Sequence, residues 1–477
     1  MRKPTDHKSA WAEFSAAAVA QAIARRDFSA REYAECLLAR IADSDLGAII
    51  ALDPPAVLRD ADAADQKQVD GGSLGLLHGV PFVVKDNIST AGLPASAGTP
   101  SLQGNRPLRD AAVVAALKAE GAIVLGKVNM HELAAGVTTD NAAFGRTHNP
   151  YDSSRSAGGS SGGTAAAVGG RLAPLGLGTD TGASNRLPAA FCGIFGFRPT
   201  IHRWSQDGLI ANSLTRDTIG PMARTIDDII LADTIVTGSR DTVTEPDIRN
   251  LRLGTPRQPF WQNLDPDIAR IGQNCIERIA IAGITIIEAD MEDVRDFSFS
   301  AGVPIAIVEH RAALDAYLEA AGAAFRADHV FASVASPDVR EFFARYGQCD
   351  PQDYIRAINI SRPKIQAIYQ EYLRSNRLDA MIFPTSPILP PRFEDAAEIA
   401  HLGQSWSTLL LAIQNLNASS VAGIPGLSIP AGLAASGLPI GMELDGSYAS
   451  DRHLLAVGAA IAPLMPETPP PTSCIAD

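Results

Sequence analysis

Cysteine is scarce in this sequence. There are five in 477 residues, Cys36, Cys192, Cys275, Cys349 and Cys474. They are odd in number and widely scattered, with neither metal-ligand spacing nor a disulfide framework, a pattern that fits a reducing cytoplasm. Basic charge is also in deficit, with 40 Lys and Arg against 53 Asp and Glu, a net charge of -13. A nucleic-acid partner calls for a basic face, so the balance argues against one. No apolar run reaches the roughly 18 residues of a membrane span. The segment 225–238, TIDDIILADTIVTG, is too short and too acidic. The N-terminal MRKPTDHKSAWAEF has a basic start but no apolar core behind it, so it does not read as a signal peptide. Internal repeats and long Gly-, Ser- or Pro-rich linkers are missing too.

What is present is enough apolar material for a large core, 46% of residues. EFSAAAVAQAIARRDF carries helical spacing, and Ser29 with Glu32 forms a capping-box pattern before a second helix. GVPFVVKDN gives a buried strand over 80–84 that delivers Lys85 at its tip. A helix, Gly121 and a strand over 122–128 follow, then another strand in LAPLGLGTD. This alternation predicts an α/β sheet. LRLGTP, DIARIGQNCIERIAIAG and ITIIEAD repeat the pattern once, before long helical stretches. Strand and turn signals return in LDAMIFPTSPILPP, VAGIPGLSIPAG and GLPIGMEL, and PETPPPTSCIAD is expected to be a loose tail.

The segment 156–168, SAGGSSGGTAAAV, stands out. Gly/Ser runs are usually linkers, but this one is short and lies between structured segments. It lacks the lysine of a phosphate-binding loop and does not fit the dinucleotide fingerprint. An active-site loop is the remaining reading, because glycines let a main chain approach a substrate closely. A second small-residue turn, GLGTDTGASNRLPAAFCG, places Ser184 after a strand, where backbone amides can converge as an oxyanion hole requires. A serine nucleophile needs a base. His131 and His148 are the nearest histidines, and both read as surface or structural residues. Lys85 is the better candidate, since desolvation at the end of an apolar strand can keep part of it neutral. On the residues alone, a solvated lysine at a strand end competes with that role. Cys192 reads as a small buried residue.

GVPFVVKDN, AGGSSGGTAAAV and GTDTGASNRLPAAFCGIFGFRPT, in that order and with Ser160 and Ser184 24 positions apart, resemble the three core motifs of the amidase signature family of serine hydrolases. The likeness is strong over 75–235 and fair at the C-terminal motifs, while 240–375 carries no diagnostic motif. It implies a single domain built as a three-layer α/β/α sandwich around a large mixed, twisted sheet. Its parts would be N-terminal helices (1–74), a catalytic core (75–238), a variable and mostly helical region (239–377), the rest of the core (378–465) and a tail (466–477). Carried over, the resemblance implies Ser184 as nucleophile, Ser160 as a bridging serine held by a cis peptide bond after Gly159, and Lys85 as base. Thr181, Gly182, Ala183 and Ser184 would supply oxyanion N–H groups, Ser161 hydrogen bonds within its loop, and Asp180 with Arg186 a brace. No metal and no organic cofactor is implied.

Two positions depart from the family pattern. Ala183 stands where glycine is usual, which puts the torsions of the nucleophile turn in question, and Asn185 stands where an aliphatic residue is usual. Within the family the motifs look most similar to indoleacetamide and mandelamide hydrolases. That similarity implies a small aryl-substituted amide as substrate, with an anilide or aryl carbamate (an aryl acylamidase or urethanase) as the alternative. An amidotransferase subunit that binds partner chains and tRNA would usually carry glutamine where this chain has Leu187. The expected partner is therefore a small-molecule amide or carbamate, with no nucleic acid and no membrane, and the expected state a cytoplasmic monomer or homodimer.

Overall fold

The computed structural model describes residues 9–239, 243–346 and 349–472. Eleven strands among them form one mixed sheet: β1 Ile49–Ala51, β2 Pro81–Lys85, β3 Ile123–Val128, β4 Leu175–Asp180, β5 Phe195–Arg198, β6 Thr218–Ala223, β7 Arg252–Gly254, β8 Thr285–Ile287, β9 Ala380–Pro384, β10 Gly426–Leu433 and β11 Pro439–Asp445. Their spatial order is β1-β3-β2-β4-β6-β5-β10-β11-β9-β7-β8. β3, β2 and β4 run parallel to one another, as do β9, β7 and β8; the other pairs are antiparallel.

The sheet is the α/β architecture expected from the helix–strand alternation. Every residue of β2, β4 and β6 is buried, odd and even positions alike. Both faces of the sheet are therefore covered, as apolar runs without alternation require. The N-terminal helices α1 (Ala16–Arg25) and α2 (Ala30–Ala42) form as read. Ser29 and Glu32 close the capping box reciprocally, and Tyr33, Ala34 and Leu37 make the buried face of α2. Helix α3 (Ala112–Ala119) joins β2 to β3, and α4 (Gly162–Gly169) lies between β3 and β4. After β6, helix α5 (Ile226–Thr237) is capped by the Thr225 side chain and stopped at Gly238 in the left-handed region.

β6 was not legible, because Pro221 sits inside a central strand, where proline is normally excluded. Pro221 faces Leu177 of β4, and its carbonyl accepts a hydrogen bond from Asn185 Nδ2 (3.2 Å). The tail also differs from expectation over its described part. Thr468 Oγ1 accepts from Gly432 N (2.9 Å), and the Pro469 carbonyl accepts from Tyr151 Oη (2.9 Å). The last five residues, 473–477, lie outside the described residues.

What matters for the site is the parallel trio. β2 and β4 run in the same direction, so their C-terminal ends, Lys85 and Asp180, emerge at one sheet edge. The pairing of Val84 with Leu177 brings Lys85 alongside Gly178 and Thr179. Open α/β sheets place ligands at such carboxyl ends.

Candidate active site

Lys85 is fully buried, drawn in by the apolar Phe82-Val83-Val84 run that precedes it. Its ammonium donates to Ser160 Oγ (2.7 Å), Ser161 Oγ (2.8 Å) and Thr179 Oγ1 (2.7 Å). It is not the solvated lysine that strand-end position alone allows. Burial lowers its pKa to about 7, against the opposing pull of the Asp217 and Asp180 carboxylates. A substantial neutral fraction therefore exists near neutral pH.

The Gly/Ser loop is packed, not free. Its Gly159–Ser160 peptide bond is cis. A Cβ on Gly159 would stand 2.8 Å from the Val137 carbonyl carbon, and one on Gly163 would stand 2.3 Å from the Asn129 carbonyl oxygen. Only glycine fits against a backbone that close. The loop thus lies flat on the segment 129–139 before α4 begins. Ser161 ties it inward: its hydroxyl donates to the Thr179 carbonyl (3.1 Å) and accepts from Thr179 N (3.2 Å), and its own N–H donates to the Ser184 carbonyl (3.2 Å).

Ser184 lies in the turn between β4 and helix α6 (Arg186–Phe191) and is 7% exposed, at the wall of a cavity of about 520 Å³. Thr181, Gly182 and Ala183 line the same cavity. Among the described residues the Ser184 hydroxyl makes no hydrogen bond. Ala183 has no positive φ, so its methyl costs the turn nothing. It packs instead with Val137, Leu187, Phe191 and Leu416. Asn185 is a tie: its N–H donates to Asp180 Oδ2 (3.2 Å) and its side chain to the Phe197 carbonyl (2.7 Å).

Behind the turn lies a buried ionic cluster. Arg186 donates to Asp180 Oδ2 (3.0 Å), Glu443 Oε1 (3.0 Å) and the hydroxyls of Ser419 (2.9 Å) and Ser420 (2.7 Å). Arg198 donates to Asp180 Oδ1 (3.0 Å). Burial alone would raise the Asp180 pKa, but the two guanidinium groups hold it well below the usual carboxylate range. Glu443 and Asp445 share one nearby arginine, and burial raises both, Asp445 to about 6.

His131 is not at the surface. It is fully buried, lines the cavity, accepts at Nδ1 from Thr139 N (3.2 Å) and lies with Nε2 3.0 Å from Asp338 Oδ2. Its sequence context hid this, because β3 ends three residues before it. His148 does not line the cavity; its Nδ1 lies 2.6 Å from the Ser153 carbonyl and its ring packs edge-on to Phe393. Cys192 is buried away from the cavity, and burial pushes its thiol pKa up.

The segment without motifs builds part of the cavity. Phe299, Gly302, Val303 and Ala306 come from one helix, α7 (Arg295–Ala320), and Phe342 from another, α8 (Pro337–Tyr346). Leu409, Leu410 and Ile413 add apolar surface, and Arg216 and Asn212 add polar groups. Sequence reading missed all of these. Phe299 and Val303 have the four-residue spacing of any buried helix face, which gives no sign that the face meets a cavity. Among the described residues no group of three or more His, Cys, Asp or Glu could hold a metal, and no helix is long and apolar enough to cross a membrane.

Two groups of loops at one edge of a mixed α/β sheet thus gather a buried, partly neutral lysine and three serines beside a cavity with apolar and polar walls. The chain matches the amidase family over residues 32–455. It belongs to that family, and so to the hydrolases that act on carbon–nitrogen bonds. It is 38% identical to the indoleacetamide hydrolase of Agrobacterium vitis over 452 residues, 94% of this chain and 96% of that protein. It is 38% identical to the mandelamide hydrolase of Pseudomonas putida over 469 residues, 94% of this chain and 91% of that protein. A crystal structure of an amidase superposes with a TM-score of 0.85 at 27% identity, covering 95% of this chain and all (100%) of that one.

Proposed function

We propose that this enzyme hydrolyses small aryl-substituted primary carboxamides through an acyl-enzyme, with Ser184 as nucleophile, Ser160 as proton bridge and Lys85 as base. The observation that carries the proposal is the 2.7 Å contact from the buried Lys85 Nζ to Ser160 Oγ, in a loop whose next residue, Ser161, donates its N–H to the carbonyl of the cavity-lining Ser184 (3.2 Å). When Lys85 is neutral, its lone pair accepts the Ser160 proton while Ser160 accepts the proton of Ser184. The Ser184 oxygen bonds to the carbonyl carbon, and the carbonyl oxygen takes the negative charge. The N–H groups of Thr181, Gly182, Ala183 and Ser184 receive that charge. As the C–N bond breaks, Ser160 passes a proton to the leaving nitrogen and recovers one from Lys85, and ammonia departs. Water then attacks the ester by the same relay in reverse, releasing the carboxylic acid. No step requires a metal or organic cofactor.

Ser161 and Thr179 hold the Lys85 amine in place, and Gly159 lets the loop approach the 137–138 backbone. The Asp180–Arg186 pair braces the turn from behind, and breaking such a buried pair costs about 3–5 kcal/mol. The apolar wall and the volume suit an aryl group, because ligand pockets of about 300–1,000 Å³ with few polar groups bury most of a ligand's surface. The two hydrolases named above act on aryl amides by their names, which agrees with this reading. The test is a panel of arylacetamides, anilides, aryl carbamates and aryl esters, read by release of ammonia, amine or alcohol. Primary arylacetamides are expected to give the highest kcat/KM. A higher value for anilides or carbamates would overturn the assigned leaving group.

A further inference from the structure

The chemistry described above uses Lys85 but not the carboxylate that acts on it most. Asp217 immediately precedes β6, which runs antiparallel to β4 with Asp180 opposite Thr218. One step further in that register sets Asp217 opposite Thr181. It therefore emerges at the sheet edge that carries Lys85 and Asp180. Asp217 is 1% exposed, and its Oδ2 accepts from Asn212 N (2.6 Å). The Thr181 hydroxyl faces the carboxylate and, with the backbone N–H groups of Ser213 and Asn212, favours its charged form. Its Oδ1 is buried without a donor.

The bond to Asn212 caps the turn 212–217. That role needs only an acceptor, which an asparagine side chain also offers, so it does not explain a charge. Burial pushes the Asp217 pKa up to about 6, which leaves it ionised where Lys85 titrates, near 7. The charged groups around the pair are otherwise committed. Asp180, the second carboxylate acting on Lys85, is answered by Arg186 and Arg198. Arg216 turns to the Gly302 carbonyl and Asn417 Oδ1 (2.7 Å each). Glu309 of α7 accepts from the Ser213 and Thr215 hydroxyls (2.5 and 2.8 Å). Lys127 of β3 lies 4.0 Å from Asp86 Oδ1, and His131 meets Asp338. Lys85 remains as the buried cation on which the Asp217 charge tells.

We infer that Asp217 is a positioning residue of the reaction: its negative charge strengthens Lys85 as a base, and its carboxylate ties the Thr181 turn to the start of β6. This rests on the reading of Lys85 as base and deepens it. A nearby negative charge stabilises the ammonium form, so the neutral amine left after deprotonation binds a proton more tightly. A stronger base draws harder on the Ser160 hydroxyl. The same charge limits how much of Lys85 is neutral below pH 7, so Asp217 sets the acid limit of the rate from outside the three motifs.

The test is the pH profile of kcat/KM on one aryl amide for the parent, Asp217→Asn, Asp217→Glu and Thr181→Val. Asp217→Asn keeps an acceptor for Asn212 N and removes the charge. Its acid limb should move to lower pH by roughly one unit, the low end of what one nearby opposite charge does. Its alkaline plateau should fall by on the order of three- to tenfold, as a weaker base requires. Asp217→Glu, which keeps the charge, should hold the limb near the parent position. Thr181→Val removes the tether alone, so the plateau should fall by on the order of tenfold with the limb in place; full activity there would overturn the tether. A limb is a position on the pH axis, so a smaller folded fraction does not alter it, and Asp217→Ser reports the same limb if the asparagine variant does not fold. A limb that stays at the parent position in the neutral variants would overturn this inference, reduce Asp217 to the cap of its turn and leave the Lys85 reading intact. A parent without a limb near pH 7 would overturn the Lys85 reading and this inference with it.

Discussion

The segments 75–238 and 239–377 treat the same cavity in opposite ways. The first presents short, dense motifs in which almost every polar side chain is buried and bonded: Lys85 to three hydroxyls, Asp180 to two arginines, Ser161 to both chain directions of Thr179. The second presents no motif and touches the cavity through apolar side chains of one long helix and through Asp338, Glu341 and Phe342 of another. Bond making and breaking demands fixed donors at fixed distances, whereas shape can be met by many apolar sequences. The comparison teaches that in this molecule reaction type and substrate shape are recorded in different parts of the chain.

Removing the Ser184 hydroxyl should separate the two most sharply. Ser184→Ala is expected to lower kcat by at least about a thousandfold, as loss of a nucleophile does, with circular dichroism and thermal midpoint unchanged. Activity within tenfold of the parent would remove Ser184 from its role.

Lys85→Arg should be nearly as damaging as Lys85→Ala, because a guanidinium with a pKa above about 12 cannot serve as a neutral base. The sign of the pH response follows from the lowered pKa of Lys85. The neutral, active amine is scarce below pH 7 and dominant above it, so kcat/KM should rise through about pH 7 and then level off. His131 makes the competing case sharper than its sequence position allows, since it lies on the cavity. His131→Gln should leave the position of that limb unmoved. If it removes the limb while Lys85→Arg stays active, the base is the histidine.

Phe299→Ala probes the other segment. It is expected to raise KM for an aryl amide by roughly tenfold, the loss of part of a buried aromatic contact, with kcat within about threefold. A fall in kcat to the level of the Ser184 or Lys85 variants would erase the distinction between the segments. The smallest expected effect is that of a chelator: dialysis against EDTA should leave kcat/KM unchanged, and activity lost and then restored by zinc or manganese would point to metal-assisted hydrolysis.

Much of the fold was legible where local chemistry and tertiary structure agree. Ser29 and Glu32 cap a helix, the 80–85 run is a buried strand, and the strand–helix–strand sequence of β7, Pro266–Ile281 and β8 forms at the edge of the sheet. β6 was not, because Pro221 speaks against a central strand and only the partner strands overrule it. The Gly/Ser loop and the Ser184 turn stood out because glycine spacing and a strand end mark loops of a site, whereas Ser160 as a bridge and Lys85 as a base came from the resemblance to the family. Arg216, Asn212 and His131 did not, since burial beside a cavity is a property of the assembled chain and leaves no trace in neighbouring residues. Ala183 looked like a liability from its position alone, and its ordinary torsion and apolar surroundings show why a methyl is accepted there.

Glu132 gives the two segments a common fastening. Its carboxylate accepts from Thr99 Oγ1 (2.7 Å), Ala335 N (3.0 Å) and Ser336 N (2.7 Å), beside the contact of His131 with Asp338. One side chain from the turn that follows β3 thereby anchors the start of the helix that carries Phe342. For anyone building chimaeras, the unit of exchange is consequently larger than the motif-free stretch. A transplanted 239–377 segment must bring backbone amides that meet Glu132, or the host must be recoded at 131 and 132 along with it. Substrate scope in this scaffold is portable only together with its bolt.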